Sequence, residues 1–128
     1  MNRVWKKSDR WIVWFGFCGA ALLLILAAAA PLFALAGWCM PVVELRPTWF
    51  QRSGAAALSL IIISEYISVS FYLLANRLVT VEYADGRDPF EHFSRRFFLL
   101  GFVGMILAVI ATIIWGYGDL LMSTWIQP

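Results

Sequence analysis

The sequence has few charged residues and many apolar ones. Of its 128 residues, 14% are charged and 62% are hydrophobic, whereas soluble domains are about 45–50% apolar and about 25% charged. The net charge of +2 is small, and the basic residues are distributed between apolar segments instead of forming the single patch that nucleic acid requires. The composition therefore predicts a membrane protein, with the lipid bilayer as its surroundings and no nucleic-acid partner.

Cysteine and histidine are also scarce, with two and one residues respectively. Cys18 and Cys39 lie on one predicted helix about 30 Å apart, which excludes a disulfide within the chain. The acids near His92 lack the spacing of a calcium loop, and one histidine is too few for a zinc site. These acids are Glu82, Asp85, Asp88 and Glu91. We expect solvated charges there, and neither a metal nor another cofactor.

Motifs for catalysis are absent from the sequence. It has no nucleotide-binding loop, no nucleophile elbow and no zinc-binding helix motif. No serine or cysteine close to His92 in the sequence is placed to act with it as a nucleophile. The sequence therefore predicts a protein that is not an enzyme.

Three long apolar runs predict an all-α membrane protein with three spans in a single domain, 1–128. The spans are expected near Trp11 to Trp38, Ser53 to Leu78 and Phe97 to Gly118, with a polar loop at 79–96. The first run resembles a secretory signal before its small-residue triplet at 34–36, but it is longer than a signal core, which favours a retained span. Ser53 is a candidate cap for the second helix, with an earlier start that makes Trp49 or Arg52 helical as the alternative. Asp88, Pro89 and Glu91 predict that the third helix begins at Pro89.

Basic residues predict the orientation of these spans. Cytoplasmic loops carry an excess of lysine and arginine. Eight basic residues flank the amino-terminal and loop sides, namely Arg3, Lys6, Lys7, Arg10, Arg77, Arg87, Arg95 and Arg96, whereas the link between the first two spans has Arg46 and Arg52 and the tail has none. We expect the amino terminus and the loop to be cytoplasmic and the carboxyl terminus to lie outside, in a bacterial inner membrane.

Small residues form stripes on the first and third spans. Small side chains let helices approach closely, and close packing is a main source of helix association in lipid. The predicted packing positions are Gly16, Ala20 and Ala27 on the first span and Gly101, Gly104, Ala108 and Ala111 on the third.

Glu65 is the one acid within the second apolar run, and it lies almost at the centre of that run. A charge at this depth costs about 3 kcal/mol on insertion scales and more in simulations, so the acid must be neutral, hydrated or paired. Three interpretations remain open: a protonated acid hydrogen-bonded to a neighbouring helix, an ion pair with another chain, and proton or cation handling. At helical spacing, Glu65 shares an intramembrane polar stripe with Ser68, Tyr72 and Asn76.

The segment Gly116-Tyr117-Gly118-Asp119 resembles the selectivity-filter signature of potassium channels over four residues only. Ile114 and Trp115 stand where that family has threonine and valine, and the nine residues after Asp119 leave no room for a pore-lining helix. A helix stop at the membrane interface is the favoured interpretation.

Two functions fit these patterns. The first is a non-enzymatic subunit of a larger or homo-oligomeric membrane assembly, whose partner is another membrane protein or copies of the same chain. The alternative is a small oligomeric transporter or pore that conducts protons or ions along a path including Glu65.

Overall fold

The computed structural model describes residues 7–38, 46–78 and 89–126, with side chains at 11–38, 46–74 and 94–124. It contains three helices, α1 (Lys7–Leu35), α2 (Arg46–Leu78) and α3 (Pro89–Ile126). Each helix includes a segment long and apolar enough to cross a membrane, at Trp11–Leu35, Arg46–Leu74 and Ser94–Thr124. The prediction of an all-helical, integral membrane protein with three spans is confirmed. The predicted loop before Pro89 lies outside the described residues.

α1 continues through Pro31 and ends at Leu35, slightly earlier than the predicted Trp38. Its end is a Schellman motif, in which Gly37 has a φ of 76°, a conformation that glycine adopts without a side-chain clash. The Gly37 amide donates to the Ala34 carbonyl at 3.1 Å, and the Trp38 amide donates to the Phe33 carbonyl at 3.0 Å. The rings of Phe33 and Trp38 stack at 5.2 Å, which supplies the apolar contact typical of this motif.

α2 begins at Arg46, well before the predicted cap at Ser53. The prediction of Ser53 as a cap is wrong, because its hydroxyl donates to the Phe50 carbonyl at 2.6 Å inside the helix. Pro47 suits the first turn of a helix, where its missing amide proton costs no hydrogen bond. The Arg46 guanidinium donates to the Leu35 carbonyl at 3.2 Å, so the first turn of α2 caps the last turn of α1.

α3 begins at Pro89, as the sequence predicts, but it ends at Ile126. The predicted helix stop at Gly116-Tyr117-Gly118 is wrong, since all three residues are helical. In a helix the backbone carbonyls bond within the helix, so this segment does not form a potassium-type filter. At 38 residues, α3 is about 57 Å long, so it must tilt or project beyond a bilayer core of about 30 Å.

α2 is the central helix of the bundle and packs along both α1 and α3, whereas α1 and α3 touch only briefly. The core between the helices is built from small and branched side chains. Its buried members are Leu24, Ala27, Ala57, Ile61 and Ala111. Small side chains at these positions let the three helices lie close together, as expected for a bundle in lipid.

A second, aromatic cluster joins all three helices near the amino-terminal end of α3. Phe97 of α3 is buried, and its ring meets the ring of Phe17 edge-on at 5.7 Å and the ring of Tyr72 at 6.3 Å. Such edge-to-face contacts contribute about 1 kcal/mol each beyond area burial. Close by, the Arg96 guanidinium lies 5.3 Å from the Trp14 ring. This end of the bundle therefore fixes α1 relative to α3.

Glycines set the closest approach between α2 and α3. A Cβ atom at Gly54 would lie 2.6 Å from the Trp115 backbone nitrogen and 2.8 Å from the Ala111 carbonyl oxygen. A Cβ atom at Gly118 would lie 3.0 Å from the Gln51 Cα atom. The two backbones thus touch directly over the half of the bundle nearer the start of α2, and a side chain at Gly54 has no room.

Candidate functional site

Glu65 faces α3 at two glycines. Its carboxyl group occupies the space that a side chain at Gly104 would fill, and a Cβ atom at Gly101 would lie 3.6 Å from one carboxyl oxygen. Because glycine has no side chain, α3 offers Glu65 room here but no side-chain hydrogen-bond donor. The glycine pair therefore makes it possible for an acid to sit between two apolar helices.

Ser68 lies one turn further along α2 and is only 5% exposed. Among the described residues, its buried hydroxyl oxygen has no hydrogen-bond partner. Leaving such a group unsatisfied costs about 1–3 kcal/mol. Glu65 and Ser68, one helical turn apart on α2, together form a polar pair, and within the described residues α3 makes no hydrogen bond to the Ser68 hydroxyl.

The polar pair lines an open groove between α2 and α3 with a volume of about 540 Å³. We call it the Glu65 groove. From the level of Ser94 to that of Gly104 it runs about 15 Å along α3, roughly half of a bilayer core. Most of its walls are aromatic or apolar. They comprise Val69 and Tyr72 on α2 and Ser94, Phe97, Phe98, Gly101, Phe102 and Met105 on α3.

The predicted polar stripe is only partly described by the structure. Glu65, Ser68 and Tyr72 line the same groove. The backbone of Asn76 is part of α2, but its side chain lies outside the described residues. The groove adds Ser94, a hydroxyl from α3 that the sequence did not associate with the stripe, because Ser94 lies far along the chain from α2.

The small residues predicted for packing lie between the helices. On α1, Gly16, Ala20 and Ala27 are buried, and a Cβ atom at Gly16 would overlap the Phe71 ring. On α3, Gly101 and Gly104 adjoin Glu65, whereas Ala108 and Ala111 belong to the apolar core. Both stripes therefore contact α2 of the same chain.

Sequence reasoning missed Ser64, which is fully buried. Its hydroxyl donates to the Ala20 carbonyl at 2.8 Å, joining α2 to α1 deep in the apolar region. Hydrogen bonds between membrane helices contribute about 0.6 kcal/mol on average. Helical spacing in the sequence could have identified Ser64 as buried. It lies on one buried stripe of α2 together with Ala57, Ile61 and Ser68.

The described residues include no cluster of histidine, cysteine and acidic side chains that could hold a metal ion. Cys18 is a free, exposed thiol, whereas Cys39 and the side chains of the acids near His92 lie outside the described part of the chain. No protein-family model matches the sequence, and neither a curated protein nor a solved structure is similar to it.

Proposed function

We propose that this protein is a non-enzymatic subunit of a membrane assembly and that it binds a transmembrane helix of another polypeptide, either another membrane protein or a second copy of itself. The observation that carries the proposal is a second groove, between α1 and α3, with a volume of about 300 Å³. We call it the α1/α3 groove. Its lining is almost entirely apolar and includes Ala28, Pro31, Leu32, Leu107, Ile110 and Ile114.

The α1/α3 groove has the form of a helix-binding surface. α1 and α3 both rest on α2 and separate beyond the aromatic cluster, so the groove has two walls and a floor formed by Phe50, Ala57 and Ile61. A helix bound there would complete a four-helix arrangement, with the small side chain of Ala28 permitting a close approach. This surface supports a role in assembly more directly than either small-residue stripe, because the stripes are occupied by α2.

A bulky side chain in the α1/α3 groove is expected to weaken the assembly. Ala28 lines the groove and is exposed, so Ala28→Trp fills the groove without displacing a core residue. We expect at least tenfold weaker association, about 1.4 kcal/mol, measured by cross-linking and by the size of the complex purified from native membranes.

Ile25→Trp is the matched control for this prediction. Ile25 is an exposed residue of the same helix that does not line the groove, and its substitution is expected to leave the assembly intact. A complex unchanged by Ala28→Trp, or a chain that is monomeric in its native membrane, would contradict the proposal.

The transporter or pore remains a second candidate because the Glu65 groove extends from Ser94, at the start of the third span, to an intramembrane acid. Beyond Glu65 the backbones of α2 and α3 meet at Gly54, so a path through α2 and α3 of one chain would be closed there. Conduction would require several copies. Proton or potassium flux in liposomes with the wild-type protein, lost in Glu65→Gln, would favour this function over the subunit role.

The orientation is part of the proposal. The excess of basic residues beside the amino terminus and before Phe97 supports a cytoplasmic amino terminus and an external carboxyl terminus in a bacterial inner membrane. A periplasm-dependent phosphatase fused after Pro128 is expected to be active, and a cytoplasm-dependent fluorescent protein at the same site inactive. The reverse pattern would overturn the orientation.

A further inference from the structure

The Glu65 groove is separate from the proposed helix-binding surface. The two grooves share no lining residue. At 100° per residue, Phe98, Phe102 and Met105 project from the side of α3 opposite to Leu107, Ile110 and Ile114. An occupant of the Glu65 groove therefore does not compete with a helix in the α1/α3 groove, and the following inference goes beyond the proposed function.

The inner part of the Glu65 groove needs a polar occupant. Lipid acyl chains have no hydrogen-bonding groups, so lipid in the groove would leave the Glu65 carboxyl group without a polar partner. An occupant that brings positive charge or hydrogen-bond donors to this depth removes the free-energy cost of a buried acid without a partner.

The positive charge cannot come from this chain. No lysine, arginine or histidine occurs at 11–45, 53–76 or 97–128, so neither the chain itself nor a second copy presents a basic side chain at the depth of Glu65. An ionised Glu65 would repel an anion and attract a cation. The groove favours a cation that is supplied from outside the chain.

The walls of the groove favour an organic cation over a metal ion. Calcium and magnesium require about six or more oxygen ligands, whereas most of this lining is apolar, with Phe97, Phe98 and Phe102 on one wall. Aromatic faces attract cations by about 0.5–2 kcal/mol each, depending on desolvation. The volume of about 540 Å³ falls within the range of about 300–1,000 Å³ that small-molecule sites occupy.

We propose that the Glu65 groove binds a lipophilic monovalent organic cation, such as a quaternary ammonium or phosphonium ion with an aromatic or alkyl body. The Glu65 carboxylate is the counter-ion, and the rings of Phe98 and Phe102 contact the apolar body. Because the groove is open, the ligand enters sideways from the bilayer, where lipophilic cations concentrate.

Tetraphenylphosphonium and tetraphenylborate test this proposal, since they have nearly the same shape and opposite charge. Wild-type protein in nanodiscs is expected to bind radiolabelled tetraphenylphosphonium saturably, with one ion per chain. Glu65→Gln is expected to lower that affinity at least tenfold, because the amide keeps the shape of the acid without its charge. Tetraphenylborate is expected to show no saturable binding to either protein and no competition with the phosphonium ion.

Two further variants separate the groove from general effects on the protein. Phe102→Ala removes a ring of the groove and is expected to weaken phosphonium binding about three- to tenfold. Phe15→Ala removes a ring that is 70% exposed on α1 and lies outside the groove, and it is expected to leave binding unchanged. Size and unfolding of each variant in detergent show whether the bundle remains intact.

The proposal is overturned if tetraphenylphosphonium binds equally to wild type and Glu65→Gln, or only partitions into the bilayer without saturation. It is also overturned if the wild type binds neither ion but retains a co-purifying membrane protein that Glu65→Gln loses, because a basic residue of a partner helix then occupies the groove. Phosphonium binding that persists in Ala28→Trp while assembly is lost would support this inference independently of the subunit role.

Discussion

Gly54→Val is expected to destabilise the bundle by about 2–3 kcal/mol, a cost typical of forcing extra atoms into a packed interior. The new side chain would meet the Trp115 backbone nitrogen and the Ala111 carbonyl oxygen of α3. Backbone atoms cannot rotate away as a flexible side chain can, so the two helices must separate. Their separation would also disturb the core around Ala57 and Ile61, which lie on the same helix.

Gly116→Val makes the same substitution on α3 at a position where an added Cβ atom has no neighbour within 4 Å. Valine is a better helix former than glycine by a few tenths of a kcal/mol, so this control is expected to be neutral or slightly stabilising. Titration with a denaturing detergent, followed by tryptophan fluorescence, gives the free energy of unfolding of both variants. Equal values for the two variants would show that α2 and α3 do not touch at Gly54.

The number of spans could be predicted from the sequence because it depends on local composition alone. Each span is a run of apolar residues long enough to cross a bilayer, and a helix is the structure that satisfies an isolated backbone there. The start of α3 at Pro89 could also be predicted from the local sequence. Proline is favoured in the first turn of a helix and disfavoured in its interior.

The ends of the helices were harder to predict because neighbouring helices influence them. α2 begins early at Arg46, where the arginine side chain reaches the Leu35 carbonyl of α1. α3 continues through Gly116 and Gly118, although glycine is a poor helix former. At Gly118 the helix packs closely on Gln51, a contact that a larger residue would prevent. Glycine there serves helix packing, which local propensity does not reveal.

The candidate site was partly visible in the sequence. Glu65 stands out as an acid in an apolar run, and helical spacing groups it with Ser68 and Tyr72. The glycines opposite Glu65 and the Ser94 hydroxyl in the same groove depend on the register of α3 against α2. Register is set by long-range packing, so no pattern within one helix predicts it.

The glycines of the three helices accommodate different neighbours. Gly54 accommodates a backbone, Gly104 accommodates the Glu65 carboxyl group, and Gly16 accommodates the Phe71 ring. A side chain added at Gly104 meets the end of a flexible chain that can move aside. A side chain added at Gly16 meets the Phe71 ring at its attachment carbon, which cannot move aside without a shift of the α2 backbone. The stability cost of a substitution therefore depends on the neighbour and not on the stripe to which the glycine belongs.

Gly16→Ala is expected to destabilise the protein by about 2 kcal/mol, and this cost is expected to depend on Phe71. The new methyl group would overlap the Phe71 ring at its attachment carbon, close to the backbone of α2. Phe71 also packs against the buried cluster that Val13 and Phe97 form, so the ring has little freedom to shift. Phe71→Ala removes the obstacle and should make Gly16→Ala nearly neutral in its background.

A double-mutant cycle measures this dependence as the difference between the double variant and the sum of the single variants. Residues in direct contact show coupling of about 0.5–3 kcal/mol, and we expect a value of about 2 kcal/mol for Gly16 and Phe71. The control cycle pairs Phe71→Ala with Gly19→Ala, because a Cβ atom at Gly19 has no neighbour within 4 Å. Its two changes should add without coupling. Additive behaviour at Gly16 as well would mean that α1 does not pack on α2 at Phe71.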